Sequence, residues 1–514
     1  MRRCFGLFVA VLLVTMLAAG CTGVTGGLQR DKQDTFSRRA DTRTGAASGR
    51  DRIEADMLFL DSFAEEMSAV LLEASVLARR GGRNDGLSQA DLDRYAYLLF
   101  RFQLCRAGLW EIADYYNNAP SLFHSGTWRL KAQLLGLRTM MQISSSDSQF
   151  LLTFYDDEDS RAALNRAYPL AEIEPGTYNA ILETALAPAN LDARDAAWHF
   201  FQKENEPRGE IGRAAEEDAG VRALAEAVCR YHTFGEASIE RLLDKRGIVF
   251  PAFENRLRKS MAAGALKAAG EAGLGGVKAL GHFSLLALKP LSRSPFAVST
   301  EFTDEQRDLM RTLIQPGDIL LTYTSGYLSS IFFPGVFKHG IVYVGNKAQR
   351  ETLKIESAWH GGPRNPNLIE AVGAGVIWNN LDHIVDETVT LVAVLRPALT
   401  PEQRRAYLQG VYDYLGRSYD LRFDFMSSQR LCCTEVIYHT LNGRGPIQFP
   451  MVQRFGMPTL SADDILRYFL SKPGSAFQLV FLGCPDPAAS GHTGAVLTGA
   501  EAESRLRDLL DADQ

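Results

Sequence analysis

Two short stretches hold the residue types that nucleophilic chemistry needs. One is Leu431-Cys432-Cys433-Thr434-Glu435-Val436-Ile437-Tyr438-His439, in which paired cysteines open a run with helical apolar spacing. The other is Phe337-Lys338-His339-Gly340-Ile341-Val342-Tyr343-Val344-Gly345, a histidine at the mouth of a strand-like apolar run. A thiolate attacks a carbonyl carbon, while an imidazole takes the thiol proton and returns it to the leaving group. A thiol and an imidazole on two different elements are the minimum for that reaction.

The cysteine run reads as a helix from about 432 to the stop at Asn442-Gly443. Cys433, Val436, Ile437, Thr440 and Leu441 then share a mostly apolar face, so Cys433 points inward from the first turn. Cys432, Glu435 and His439 fall on a different, more polar face. The positive end of the helix dipole favours a thiolate at Cys433. A small buried hydrophobe fits the same position, and the helix alone does not choose between the two. Cys432 and His439 stand about 10 Å apart along the axis, too far for direct proton transfer. With Glu435 they are too few to hold a metal, so no metal or other cofactor is expected. Glu435 also points about 200° away from Cys433 around the axis and cannot orient its base.

The base must therefore come from another element. His339, at a strand edge, can face a helix N-terminus packed across the sheet. His360, in the turn Trp359-His360-Gly361-Gly362, and His383, in a loop, are weaker candidates. A third group should fix the imidazole tautomer. Glu370 stands amid apolar neighbours in Leu368-Ile369-Glu370-Ala371-Val372, and burying it without a hydrogen-bonded partner would be costly. A solvent-facing strand position explains Glu370 equally well.

The elements that must carry these residues follow Pro290. Thr303-Asp304-Glu305-Gln306 starts a short helix, and Gln315-Pro316-Gly317-Asp318 turns the chain into the strand 319–323. Strand patterns follow at 339–345, 353–358, 367–372, 374–378, 388–396 and 477–481, and helical ones at 400–415, 431–441 and 461–471. The reading is an α+β domain over 300–486 with a mainly antiparallel sheet. A tail, 487–514, ends in a short helix over 501–510.

Residues 51–291 are helical in pattern, with helices expected at 57–79, from Ser88-Gln89-Ala90-Asp91 onward, and at 126–155, 159–168, 177–187, 191–204 and 217–245. Ligand-type residues do not cluster there, and His124, His199 and His232 are scattered. This region reads as a helical domain that scaffolds the chain or binds a protein partner. Its stretch 261–288 is dominated by Ala, Gly and Leu, a composition suited to close helix packing or to a membrane surface.

The N-terminus is an export signal. Arg2 and Arg3 precede the apolar run Phe5 to Leu17, too short to span a bilayer, and Ala18-Ala19-Gly20 lead into Cys21. That approach resembles a bacterial lipobox, with Leu17 one place early. It implies a signal peptide over 1–20 and a lipidated Cys21 carrying palmitate-type chains; an ordinary secretory signal is the alternative. Residues 21–50 are polar and read as a flexible tether reaching on the order of 30 Å. The protein is thus expected in the bacterial cell envelope, membrane-anchored and facing the periplasm, at the outer membrane in preference to the inner. Without Cys4 and Cys21, five cysteines remain, an odd number. A Cys105–Cys229 bridge is compatible with an oxidising compartment. The net charge of −6 and the absence of basic runs give no reason to expect nucleic acid.

Five pieces in order carry a family resemblance: Gly317-Asp318-Ile319-Leu320, Lys338-His339-Gly340-Ile341-Val342, Ile369-Glu370-Ala371, Gly416-Arg417-Ser418-Tyr419-Asp420, and Cys433-Thr434-Glu435-Val436. Pro458-Thr459-Leu460 and Asp463-Asp464-Ile465 follow. Together, over residues 312–484, they resemble the YiiX-like branch of the circularly permuted NlpC-type papain-fold hydrolases, where the histidine precedes the cysteine. Two departures are Lys338, in place of a small polar residue, and the extra Cys432, which could form a vicinal disulfide. The resemblance implies a permuted papain-like fold with Cys433 as nucleophile, His339 as base and then acid, and Glu370 as orienter. It further implies Tyr419 and Asp420 as site-shaping residues. The activity implied is that of a cysteine amidase or peptidase of the envelope, acting on amide bonds of peptidoglycan peptides. A lipid-directed hydrolase or acyltransferase, with Phe332, Phe333 and Phe337 lining an acyl groove, is one alternative. A non-catalytic binding lipoprotein is the other.

Overall fold

The computed structural model describes residues 49–79, 87–118, 126–171, 173–247, 300–323, 335–355, 365–373, 375–385, 389–472, 474–486 and 493–512. The signal, Cys21, the tether as far as residue 48, the stretch 261–288, His360, Phe332 and Phe333 lie outside these residues, and the last two tether positions, Gly49 and Arg50, open the first helix.

The helical region contains α1 (Gly49–Ala78), α2 (Gln89–Asn118), α3 (Thr127–Phe154), α4 (Glu158–Leu164), α5 (Thr177–Ala185), α6 (Pro188–Glu204), α7 (Glu210–Glu217) and α8 (Ala219–Lys245). Ser88 starts α2 through reciprocal bonds with Asp91. The expected start of α6 at 191 moves to Pro188, because proline is well placed in a first helical turn. The helix expected over 217–245 runs from Ala219 to Lys245, and a short helix that the pattern did not predict, α7, ends just before it. Asp218 leaves helical geometry and caps the longer one by accepting from the N–H groups of Gly220 (2.8 Å) and Val221 (3.0 Å). Helix α3 lies at the centre, buried along most of its length, and Arg106 of α2 pairs with Asp147 of α3 inside the bundle at 2.9 Å.

The C-terminal domain has α9 (Asp304–Leu313), α10 (Lys347–Leu353), α11 (Leu381–His383), α12 (Pro401–Tyr412), α13 (Cys433–Leu441), α14 (Ala462–Ser471) and α15 (Gly499–Asp511). Its strands are β1 (Ile319–Tyr323), β2 (His339–Tyr343), β3 (Leu368–Val372), β4 (Gly375–Asn379), β5 (Leu391–Pro397), β6 (Val452–Arg454), β7 (Met457–Thr459), β8 (Phe477–Pro485) and β9 (Gly494–Leu497). Seven of them form one antiparallel sheet in the order β4-β3-β2-β1-β5-β8-β9, with β6 and β7 a separate hairpin. The α+β reading with an antiparallel sheet describes the molecule.

Three sequence expectations change. The strand placed at 353–358 begins as the end of α10, which stops where Lys354 turns left-handed; 356–358 lie outside the described residues. The tail from 487 is not an appendage. β9 pairs with β8, and α15 buries Ala502, Leu506, Leu509 and Leu510, so the chain closes one edge of the sheet with its last elements. All five described cysteines are free thiols, Cys105 and Cys229 included.

Asp318 ties the sheet to its loops. Its carboxylate is gripped by Arg396 of β5 at 2.8 and 2.7 Å, and Gly317, at φ 99°, donates its N–H to the Tyr343 carbonyl. At the opposite edge, Gly416 and Arg417 exchange backbone bonds with Val376 of β4, so the segment leading to Tyr419 and Asp420 runs beside the sheet.

Candidate active site

β2 and β3 pair with Ile341 opposite Glu370. Side chains alternate along a strand, so His339, two residues before Ile341, lies on the same sheet face as Glu370. The two meet at 2.6 Å between His339 Nε2 and Glu370 Oε2, and both are buried. The other Glu370 oxygen accepts from the side-chain amide of Asn379, at the end of β4. Glu370 is therefore the buried, partnered carboxylate, not the solvent-facing strand residue. With Nε2 engaged by Glu370, Nδ1 is the ring nitrogen left over, buried, and His339 also interacts with the Cys433 thiol.

Helix α13 packs its first turns over β2, and the approach is close because residue 340 is glycine. A Cβ there would stand 2.7 Å from Ile437 Cδ1 and 3.7 Å from the Cys433 carbonyl oxygen. Cys433 faces inward as its spacing predicted, onto His339 and the Gly340 N–H. A hydrogen bond from Cys432 and the adjacent imidazolium hold the Cys433 thiol well below the usual thiol range, against its burial. Burial works against charge on His339 as well, but the Cys433 thiolate and Glu370 outweigh it and raise the imidazole to about 10. Each group thus favours the charged form of the other. Cys432 goes the opposite way, pushed up by burial and by its charged neighbour, and stays a neutral thiol.

The segment entering β2 is anchored from α14. Asp463 accepts from the N–H groups of Val336 (2.9 Å) and Phe337 (2.8 Å), two and one residues before Lys338. Lys338 is buried, and its N–H donates to the Thr322 carbonyl at 2.9 Å. Phe337 is fully buried in the core, which takes it out of any acyl groove.

The second face of α13 differs from expectation. Cys432 and Glu435 are fully buried and His439 half-buried, because the segment 419–428 lies across them. Cys432 is the N-cap, and its N–H donates to Glu435 Oε2 at 2.6 Å, the reach-back half of a capping box. The Glu435 carboxyl meets that of Asp420, and burial in this shared site raises both. Asp420 in turn accepts from the N–H groups of Arg422 (2.9 Å) and Asp424 (2.7 Å). Tyr419 is buried beside the two cysteines, and burial raises its phenol. Tyr419 and Asp420 thus form the floor under the nucleophile's helix.

Sequence reading missed two members of this constellation. Asn379 carried no signal of its own, being one of several asparagines at turns. Glu435 did carry one, the third-residue acid of a capping box, hidden because cysteine is an unusual N-cap. Among the described residues no group of three or more His, Cys, Asp or Glu side chains is arranged to hold a metal ion.

An antiparallel sheet with a cysteine at a helix N-terminus laid over a histidine-bearing strand is a papain-like architecture, here with the histidine strand first in the chain. Residues 313–481 match the sequence model of the family described as permuted papain-like amidase enzyme, YaeF/YiiX, C92 family. The C-terminal domain therefore has a permuted papain-like fold, and over these residues it is similar to that amidase family. No curated protein and no solved structure matches the chain.

Proposed function

We propose that the C-terminal domain is a cysteine hydrolase that cleaves amide bonds in cell-wall peptides. The observation that carries the reading is the convergence of Cys433, His339 and Glu370 from α13, β2 and β3 into one buried contact. In this reading the Cys433 thiolate attacks the amide carbonyl carbon. The N–H of Cys433, first residue of α13, helps to stabilise the oxyanion. His339, already protonated, gives its proton to the departing amine as the C–N bond breaks and a thioester forms. Water, deprotonated by His339, then attacks the thioester, releasing the acid and restoring the thiolate. Glu370, fixed by Asn379, keeps the ring in one orientation throughout.

The cell-wall substrate rests on the export signal and on a lipidated Cys21, which would hold the enzyme at the envelope membrane facing the periplasm. Among the described residues no helix is long and apolar enough to cross a membrane, so attachment would fall to that lipid. The test is to incubate purified protein and a Cys433→Ala variant with isolated sacculi and, separately, with envelope lipids. Release of peptides with new amine ends by the wild type alone is expected. Sacculi left unchanged while the wild type deacylates lipid would overturn the substrate. A Cys433 no more reactive than a free thiol would favour a binding lipoprotein.

A further inference from the structure

Helices α1 and α2 grip the turn that lies under the nucleophile's helix. Tyr97 of α2 donates its hydroxyl to the Arg422 carbonyl at 2.8 Å. The Arg422 guanidinium donates through Nε to Glu66 Oε2 of α1 at 2.8 Å, and the other Glu66 oxygen takes Arg101 Nε at 2.6 Å. Glu66 is buried, and its pair with Arg101 is buried on both sides, while Arg422 reaches it from a half-exposed position. Phe100 of α2 packs its ring 5.8 Å from Phe423 and 5.2 Å from Phe455. Both partners hold a left-handed backbone, with φ of 55° and 56°, which is unfavourable for a bulky aromatic residue and persists only where packing fixes it.

The same turn reaches the active site from its other side. Arg422 gives its backbone N–H to Asp420, Asp420 meets Glu435, and Glu435 holds the N–H of Cys432. A continuous line of hydrogen bonds therefore runs from α1 to the residue preceding the nucleophile. Cys432 sets the direction in which α13 starts and hydrogen-bonds Cys433, so a shift of the turn changes the surroundings of the Cys433 sulfur.

We propose that Glu66 is a positioning residue for Cys433, acting through Arg422, Asp420 and Glu435, and that the helical region is a built-in part of the catalytic site. This rests on the cysteine-hydrolase reading above. It gives the helical region a role that needs no external partner, and it makes any ligand that moves α1 a regulator of the thiol.

The test uses the full chain and iodoacetamide as probe, with mass spectrometry to assign alkylation to Cys433. The rate is followed against pH in the wild type and in Arg422→Met with Tyr97→Phe, which remove both polar grips. The Arg422 side chain is 52% exposed, so its replacement leaves the core intact, and thermal unfolding checks the fold. The midpoint of Cys433 alkylation is expected to rise by about one pH unit, with about tenfold less thiolate at any pH below it. Arg422→Lys should restore most of the effect. Arg430→Met, which cuts the Glu65–Arg430 pair between the same two regions at 2.7 Å, should leave the midpoint in place. An unmoved midpoint in the double variant, or an equal shift in Arg430→Met, overturns the proposal. If Cys433 of the wild type itself titrates as an ordinary thiol, the hydrolase reading fails first and this inference with it.

Discussion

His339 Nε2 lies 2.6 Å from Glu370 Oε2, and the pairing of two adjacent strands puts it there. The contact is buried on both sides, so the two groups hold one another in place and the imidazole is left with one nitrogen to offer. Removing either partner should therefore cost reaction rate more than binding. His339→Ala is expected to lower amide hydrolysis by about 10²–10⁴-fold, the usual contribution of a positioned acid–base group. Glu370→Gln should lower kcat with KM little changed. Steady-state kinetics on a released-amine assay checks both.

Asn379 should behave as part of the same unit. Asn379→Ala leaves a buried Glu370 oxygen without its amide partner, at a cost of about 1–3 kcal/mol in stability. A fall in kcat should accompany the loss, because the imidazole is no longer held from behind. Denaturant unfolding and kinetics on the same preparation separate the two effects.

Gly340→Ala tests the close approach of helix and strand. The added methyl would meet Ile437 Cδ1 at 2.7 Å, so this buried side chain must turn aside or carry α13 away from β2. Overpacking of this kind costs about 1–3 kcal/mol. Alkylation of Cys433 should slow, since its sulfur is carried off the imidazole. An unchanged rate in a stably folded variant would show that the approach is not needed for activation.

Cys432→Ala removes the neighbour whose hydrogen bond does most to lower Cys433. The midpoint of Cys433 alkylation should rise, with the variant remaining reactive because His339 is still in place. The upper limb of the hydrolysis profile belongs to His339. Its folded value is raised to about 10, so the proton that must be donated to the leaving amine persists below that pH and is lost above it. The sign for stability is the same. The contribution of this imidazolium is complete below the ordinary imidazole value and disappears as pH rises through about 10. Activity and thermal unfolding followed across that range test both statements.

Much of this protein could be read in the chain because the relevant signals are local. The alternation of apolar residues from 339 to 343, the turn at Gln315-Pro316-Gly317-Asp318 and the helical spacing after Cys433 each depend on near neighbours, and each became the element expected. Spacing also selected Cys433 over Cys432 as the inward thiol. What the sequence could not supply were relationships set by distant segments. Whether Glu370 faces solvent or His339 depends on strand register, which is decided only when β2 and β3 pair. Asn379 enters the site because β4 folds back beside β3. The face of Cys432 and Glu435 is polar in sequence, yet the segment 419–428 covers it, and a buried carboxyl pair results. The helical region carried no catalytic signal at all, because Glu66 and Tyr97 act through a turn more than 300 residues further along the chain. Local pattern determined the elements and which cysteine faces the sheet; tertiary packing decided which charged groups are desolvated together, and hence the chemistry they can support.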